Sequence, residues 1–89
     1  MTSEQAEILA IKALTFLAHS GEDLDRFMTL SGIAPTDLRS RAGDPEILAA
    51  VLDFMLSDDS RITTFCEEVA IDPRELHAAR RALPGAAHD

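Results

Sequence analysis

The stretch DPEILAAVLDFML, residues 44–56, decides the fold class of this chain. Asp44 is a good helix N-cap, and Pro45 fits the first helical position because its missing N–H has no helical partner there. The apolar residues that follow recur every three or four positions, which is the spacing of one broad face of an α-helix. They are Ile47, Leu48, Val51, Leu52, Phe54 and Met55. The stretch therefore predicts an amphipathic helix that turns this face towards a core.

The same pattern occurs 38 residues earlier, which indicates an internal repeat. Residues 9–38 align with residues 47–76 without a gap, and the matches fall on positions that the helical period marks as apolar. The identical pairs are Leu14/Leu52, Phe16/Phe54, Phe27/Phe65, Ile33/Ile71, Pro35/Pro73 and Leu38/Leu76. Two amphipathic hairpins also resemble each other at some offset without being repeats, and this alternative stays open.

The first copy is predicted to contain two helices, a turn and a shorter helix. Thr2 and Gln5 have the spacing of a capping box at the start of the first helix. A second helix follows Ser20-Gly21, and a third runs from Pro35 to Gly43.

The second copy repeats this plan with better caps. A polar turn at residues 57–60 separates its first two helices, and Asp72 and Glu75 have capping-box spacing at the start of the last helix. That helix is predicted to end at Pro84-Gly85.

These elements predict an all-α fold, a compact bundle of five to six helices in a single domain over residues 1–89. Unit one covers about residues 3–43, unit two about residues 44–84, and residues 85–89 form a frayed tail. The predicted core contains one set of residues together with its equivalents in the second copy. The set is Leu9, Ala13, Leu14, Phe16, Leu17, Leu24, Phe27, Ile33 and Leu38.

The charge of the chain argues against polyanionic partners. Its net charge is −8, with 16 acidic and 8 basic residues. Affinity for nucleic acid and for anionic membranes comes largely from Lys and Arg, so we expect neither partner. We expect a cytoplasmic protein, because the sequence has no basic-then-apolar leader and no apolar run of about 20 residues. The single cysteine agrees with a reducing compartment.

The residue types that perform catalysis or bind metals form no motif in this sequence. His19, His77 and His88 lie in different segments without ligand spacing. Cys66 falls on an inward helix face and is predicted to be a small buried hydrophobe. Asp58-Asp59 lacks the register of a calcium loop, and no glycine-rich phosphate loop is present. We therefore expect no enzyme, no metal and no cofactor.

Two surface features are candidate partner contacts. Ile8 and Ile11 fall on the side of the first helix opposite its apolar stripe. Either another segment covers them, or they are exposed singly, or they bind a subunit or partner. Arg74, His77 and Arg81 form a basic stripe on the last helix. This stripe is either a solvated face or a docking site for an acidic partner.

Residues 27–38 also resemble a helix-turn-helix, with Gly32 in the turn. The first turn of the candidate recognition helix carries Asp37, whose carboxylate would repel the DNA backbone that this end normally approaches. The helix would present Thr36, Asp37, Arg39, Ser40 and Arg41.

Several segments together resemble a short alphaproteobacterial family of uncharacterised proteins, domain of unknown function 3572. The resemblance covers about Ala6 to Leu83 and implies a compact helical fold in a bacterial cytoplasm. It brings no activity, cofactor or catalytic residue. The segments are Phe27, Ser31-Gly32-Ile33, Pro35-Thr36-Asp37-Leu38-Arg39, Ala42-Gly43-Asp44-Pro45, Val51-Leu52-Asp53-Phe54 and Phe65-Cys66.

The sequence thus predicts a fold more firmly than a function. The leading hypothesis is a non-catalytic protein-interaction or small regulatory domain that binds an unidentified protein or associates with itself through Ile8 and Ile11. The alternative hypothesis is an atypical DNA-binding domain of the helix-turn-helix kind.

Overall fold

A computed structural model describes residues 1–84 of the chain. These residues form six α-helices and no strand, which confirms the predicted all-α class. None of the six helices is both long and apolar enough to cross a membrane. The tail predicted for residues 85–89 lies outside the described residues. The helices are α1 (Ser3–Ala18), α2 (Gly21–Ser31), α3 (Pro35–Ser40), α4 (Pro45–Leu56), α5 (Asp59–Val69) and α6 (Pro73–Arg81).

Reciprocal capping boxes start α1 and α6, as the sequence predicts. The Gln5 N–H donates to Thr2 Oγ1 at 3.1 Å, and the Thr2 N–H donates to Gln5 Oε1 at 3.0 Å. At the start of α6 the Asp72 N–H donates to Glu75 Oε2 at 3.0 Å, and the Asp72 carboxylate accepts from the Arg74 N–H at 2.8 Å. Each box satisfies two backbone donors that the first turn of a helix would otherwise leave without partners.

The C-terminal caps of α2 and α5 adopt the left-handed conformation. Gly32 has φ +75° and Ala70 has φ +59°, and their N–H groups donate to the carbonyls of Met28 and Cys66. Glycine takes this conformation without a steric penalty, whereas alanine loses roughly 1–2 kcal/mol because its Cβ crowds the backbone. The packing on either side of Ala70 therefore holds a turn that its own side chain disfavours.

Helix α3 is shorter than the sequence predicts, because it ends at Ser40 and not at Gly43. Asp44 must leave the helical region to cap α4, and Pro45 disfavours a helical conformation in the residue before it. Arg41 already leaves the helix with φ −122° and ψ 26°. Its guanidinium donates to the Asp44 carboxylate at 2.6 Å.

Two other boundaries differ from the prediction. Helix α5 begins at Asp59, inside the polar turn expected at residues 57–60, because Asp58 accepts hydrogen bonds from its first N–H groups. Helix α6 ends at Arg81, before the predicted stop at Pro84-Gly85. The proline disfavours a helical conformation in the residue that precedes it.

Helices α1, α4 and α6 form the centre of the bundle. Helix α1 packs against α4 and α6, which also pack against each other, while α2 and α5 flank them. Helix α3 makes no extensive contact with another described helix and buries only Leu38. Most of the predicted core is buried. The predicted core residues that are only partly buried are Leu14, Phe16, Leu24, Ile33 and Ile71.

Two phenylalanine pairs cross from the first three helices to the last three. The rings of Phe16 and Phe65 meet edge to face at 5.4 Å, and those of Phe27 and Phe54 do so at 5.6 Å. In the proposed repeat, Phe16 corresponds to Phe54 and Phe27 to Phe65, so a shift of 38 residues turns one ring pair into the other. The same shift turns the bounds of α2 into those of α5. An approximate two-fold relation would produce this arrangement. The internal repeat and the division into two units at residues 43 and 44 stay predictions.

The crossed pairs lead to a stability prediction for Phe65, which is fully buried. Phe65→Ala should lower the free energy of unfolding by about 3–5 kcal/mol, because it removes buried apolar surface and leaves a cavity. Urea denaturation followed by far-UV circular dichroism measures this change. In the control Leu30→Ala the altered side chain is 71% exposed, and the free energy should change by less than about 0.5 kcal/mol. Equal effects in the two variants would contradict the assigned core.

Candidate interaction surface

An apolar groove of about 390 Å³ lies between α1, α2 and α3. It exists because α3 is too short to lie along the other two helices and contacts them through Leu38. Arg39 is the only charged residue among those that line it. The lining residues are Leu14, Ala18, Leu24, Met28, Pro35, Leu38, Arg39 and Ala42.

The corresponding space between α4, α5 and α6 is closed. Each residue that lines the groove has an equivalent 38 positions later in the sequence. Four of these equivalents are buried. They are Leu52, Ile62, Cys66 and Leu76. Helix α6 is three residues longer than α3 and packs directly against α4 and α5. The groove is therefore specific to the first three helices.

An ion pair fixes α6 against α4. Arg80 donates from Nε to Asp53 Oδ1 at 2.6 Å and from a second nitrogen to Asp53 Oδ2 at 3.1 Å. It also donates to the Pro84 carbonyl at 3.0 Å. The equivalent positions in the first three helices hold Ala42 and Thr15, which cannot form this pair. No such pair therefore closes α3 onto α1.

Ile8 and Ile11 lie on α1 beside the groove, and we call them the isoleucine ridge. Their side chains are 53% and 46% exposed, so no other described segment covers them. Successive steps of three and four residues lead from Ile8 through Ile11 and Leu14 to Ala18, along one side of the helix. The ridge thus adjoins the wall of the groove through Ile11, while Ile8 also lines a second pocket together with Ile71 and Glu75.

Arg39 gives the groove one positive charge at its edge. It is exposed and forms no ion pair within residues 1–84. The rest of the lining is apolar, so an occupant with an apolar face and one carboxylate would complement it. In the sequence, Arg39 belongs to the candidate recognition helix of the helix-turn-helix resemblance, and no local pattern connects it with an apolar site.

The predicted basic stripe on α6 is exposed, but part of its charge is compensated. Arg74 donates from Nε and a second nitrogen to the two Asp72 carboxylate oxygens, at 3.2 and 3.1 Å. His77 and Arg81 point away from the core together with Arg74. The structure does not bring the stripe together with the isoleucine ridge as parts of one concave site.

The most deeply buried charge is Arg61, whose side chain is 7% exposed. Its guanidinium lies 4.1 Å from the centre of the Phe54 ring and donates to the Phe54 carbonyl at 3.0 Å. Asp23 and Asp58 each place a carboxylate oxygen 3.8 Å from it. A polar pocket of about 260 Å³ adjoins this cluster. Arg61 ties the end of α4 to the starts of α2 and α5, and sequence periodicity alone did not indicate it.

Cys66 is buried on the inner side of α5, as predicted. Burial raises the pKa of its thiol, and the negative charges of Asp72 and Glu75 raise it further. A higher pKa lowers the fraction of reactive thiolate. Within the described residues, no three Asp, Glu, His or Cys side chains come together as metal ligands.

Fold and surface together define a small six-helix bundle with an open apolar groove on one side. The chain belongs to a family described as a protein of unknown function, DUF3572, whose model matches residues 3–86. The earlier resemblance is thereby confirmed, and the family supplies no activity to transfer. Neither the curated proteins nor the solved structures contain a match to the chain.

Arg61 generates a stability prediction for the polar cluster. Arg61→Met keeps an apolar stem but removes the hydrogen bond to the Phe54 carbonyl and the contact with its ring. The free energy of unfolding should fall by about 2–4 kcal/mol. Arg26→Met is the matched control, since this arginine lines the same pocket but is exposed. Chemical denaturation of both variants at neutral pH measures the difference, and equal stabilities would contradict a structural role of Arg61.

Asp72 generates a pH prediction. Hydrogen bonds from the Arg74 side chain and N–H lower the pKa of Asp72. The stabilisation is therefore present above the pKa of the unfolded carboxyl, about 3.9, and is lost as the pH falls through the lower folded pKa. Asp72→Asn should destabilise the fold at pH 7 and match the wild type near pH 2. Urea midpoints at the two pH values test this, and a difference of the same size at both would contradict it.

Proposed function

We propose that this protein is a non-catalytic protein-interaction module that binds through the apolar groove and the isoleucine ridge. The observation that carries the proposal is the adjacency of these two features on the surface of α1. An apolar groove of about 390 Å³ has the size and the lining of a typical binding cleft. The proposal keeps the predicted partner contact at Ile8 and Ile11 and adds the groove to it.

The shape and chemistry of the groove favour a helical ligand. Amphipathic helices bind grooves of this kind through apolar residues spaced three and four positions apart. Leu24 and Met28 on one wall have that same spacing and are only partly buried. Arg39 at the edge can pair with a carboxylate of the ligand and so fix its direction.

The absence of catalysis and a cytoplasmic location belong to the same proposal. The one thiol, Cys66, is buried with a raised pKa, which supports a structural role for this side chain. Its unpaired state agrees with a reducing compartment.

The helix-turn-helix alternative has less support. Helix α3 has six residues, and Asp37 lies in its first turn, where DNA phosphates would approach. Arg41, one of the two basic residues of the segment, pairs with Asp44 at 2.6 Å. A DNA contact would have to break this ion pair.

Site-specific photo-cross-linking in the native host tests the proposal. A benzoylphenylalanine residue replaces Met28 in the groove or Ile11 on the ridge of the full chain. Irradiation should produce covalent protein adducts at both positions, because a bound partner lies against them. Gel shift and mass spectrometry detect the adducts and identify the second component.

The control replaces Glu67, an exposed residue of α5. It should produce no adduct, since it lies away from the groove. Adducts at Glu67 equal to those at Met28 would indicate random collision and contradict the proposed site. Lack of adducts at both Met28 and Ile11 would contradict it as well.

A further inference from the structure

We infer that the occupant of the groove is α1 of a second copy of this chain, in a symmetric dimer with α1 antiparallel to its copy. This inference rests on the proposed function and deepens it by naming the partner. Each copy would pack its isoleucine ridge against the ridge of the other and lay the start of its α1 over the groove of the other, so that neither apolar surface stays exposed.

Shape is the first argument for a second copy. A two-fold interface brings the same surface patch together from both subunits, so the patch must complement itself. Ile8 and Ile11 are exposed on α1, and Leu14, three residues after Ile11, begins the part of α1 that lines the groove. An apolar ridge at the two-fold axis packs against its own copy, and the groove further along α1 can then take the start of α1 from that copy.

The register of α1 supplies the second argument. An antiparallel pair centred between Ile8 and Ile11 places each of them opposite the other residue in the second copy. The same register places Glu4 opposite Thr15 of the second copy, at the level of the groove. Arg39 of that copy lies at the groove and has no ion-pair partner among its own described residues. The dimer thus supplies the carboxylate that Arg39 lacks.

The charge distribution supplies the third argument. Two chains of net charge −8 repel each other unless their acidic excess lies away from the contact. Residues 1–43, which form the groove and the ridge, contain six acidic and four basic residues. Residues 44–84 contain nine acidic and four basic residues. Most of the acidic excess therefore lies outside residues 1–43, and Glu75 is the acidic residue of the second half that lines a pocket with Ile8.

The contact also has a suitable size. Helix α1 has 16 residues and is about 24 Å long. A standard interface buries about 800 Å² per partner, which would be roughly a seventh of the 5224 Å² surface of this chain. A helix of this length together with the adjoining groove can provide that area.

Sedimentation equilibrium of the full chain tests the dimer. The wild type should sediment at twice the monomer mass of 9.7 kDa, and Ile8→Glu/Ile11→Glu should sediment as a monomer. The control Leu30→Glu replaces an exposed apolar residue at the end of α2, outside the groove lining, and should stay dimeric. Circular dichroism establishes that each variant is folded. A wild type that is monomeric at millimolar concentration would overturn the dimer, as would a dimer that the ridge variant leaves unchanged.

Charge reversal tests the register. Glu4→Arg and Arg39→Glu should each weaken dimerisation about tenfold by placing like charges together. The combination of both substitutions should restore it, because the ion pair is then reversed. If the dimerisation affinity of the double variant falls by as much as the two single losses added together, the proposed register is wrong.

Cross-linking separates this inference from the proposed function. Adducts at Met28 that contain two copies of the chain support the dimer. Adducts that contain a different protein would overturn the dimer and leave the interaction module intact. A chain without groove adducts would overturn both.

Discussion

The crossed contacts between Phe16 and Phe65 and between Phe27 and Phe54 are the constraint on which the rest of this structure depends. Each contact joins one of the first three helices to one of the last three. An edge-to-face pair contributes about 0.5–1.5 kcal/mol beyond the burial of its surface. Because the contacts cross, one half of the chain cannot slide past the other without breaking both. They hold the flanking helices α5 and α2 against α1 and α4, which form the centre of the bundle together with α6.

Once the centre is fixed, the lengths of α3 and α6 determine which side of the bundle is closed. Helix α6 has nine residues and an ion pair to Asp53, and it covers the apolar faces of α4 and α5. Helix α3 has six residues, because the start of α4 follows it after a short turn. The groove is thus a direct consequence of how closely α4 follows α3. A short connection has produced an exposed apolar surface, and such surfaces are retained mainly where something binds them.

Three arginines of the chain fall into two groups, two that hold helices together and one that lies at the open groove. Arg61 and Arg80 are held inside ion pairs and hydrogen bonds at helix junctions, where they stabilise the bundle. Arg39 has no such partner within the described residues and lies at the groove. Under the proposed function, this cation beside an apolar surface would favour a ligand with a carboxylate. The proposed interaction site is therefore defined by charge as well as by shape.

The sequence by itself determined the class of fold, most helix starts and most of the core. Apolar spacing and helix capping are local, and residues such as Asp44, Pro45 and Asp72 act within one helical turn. It also placed Ile8 and Ile11 outside the apolar stripe of α1. Only the tertiary structure decided that α3 ends at Ser40, that the groove is open, and that Arg61 is buried on Phe54. These features depend on how far one helix extends across its neighbours, which is set by contacts between residues distant in the sequence and has no local signature.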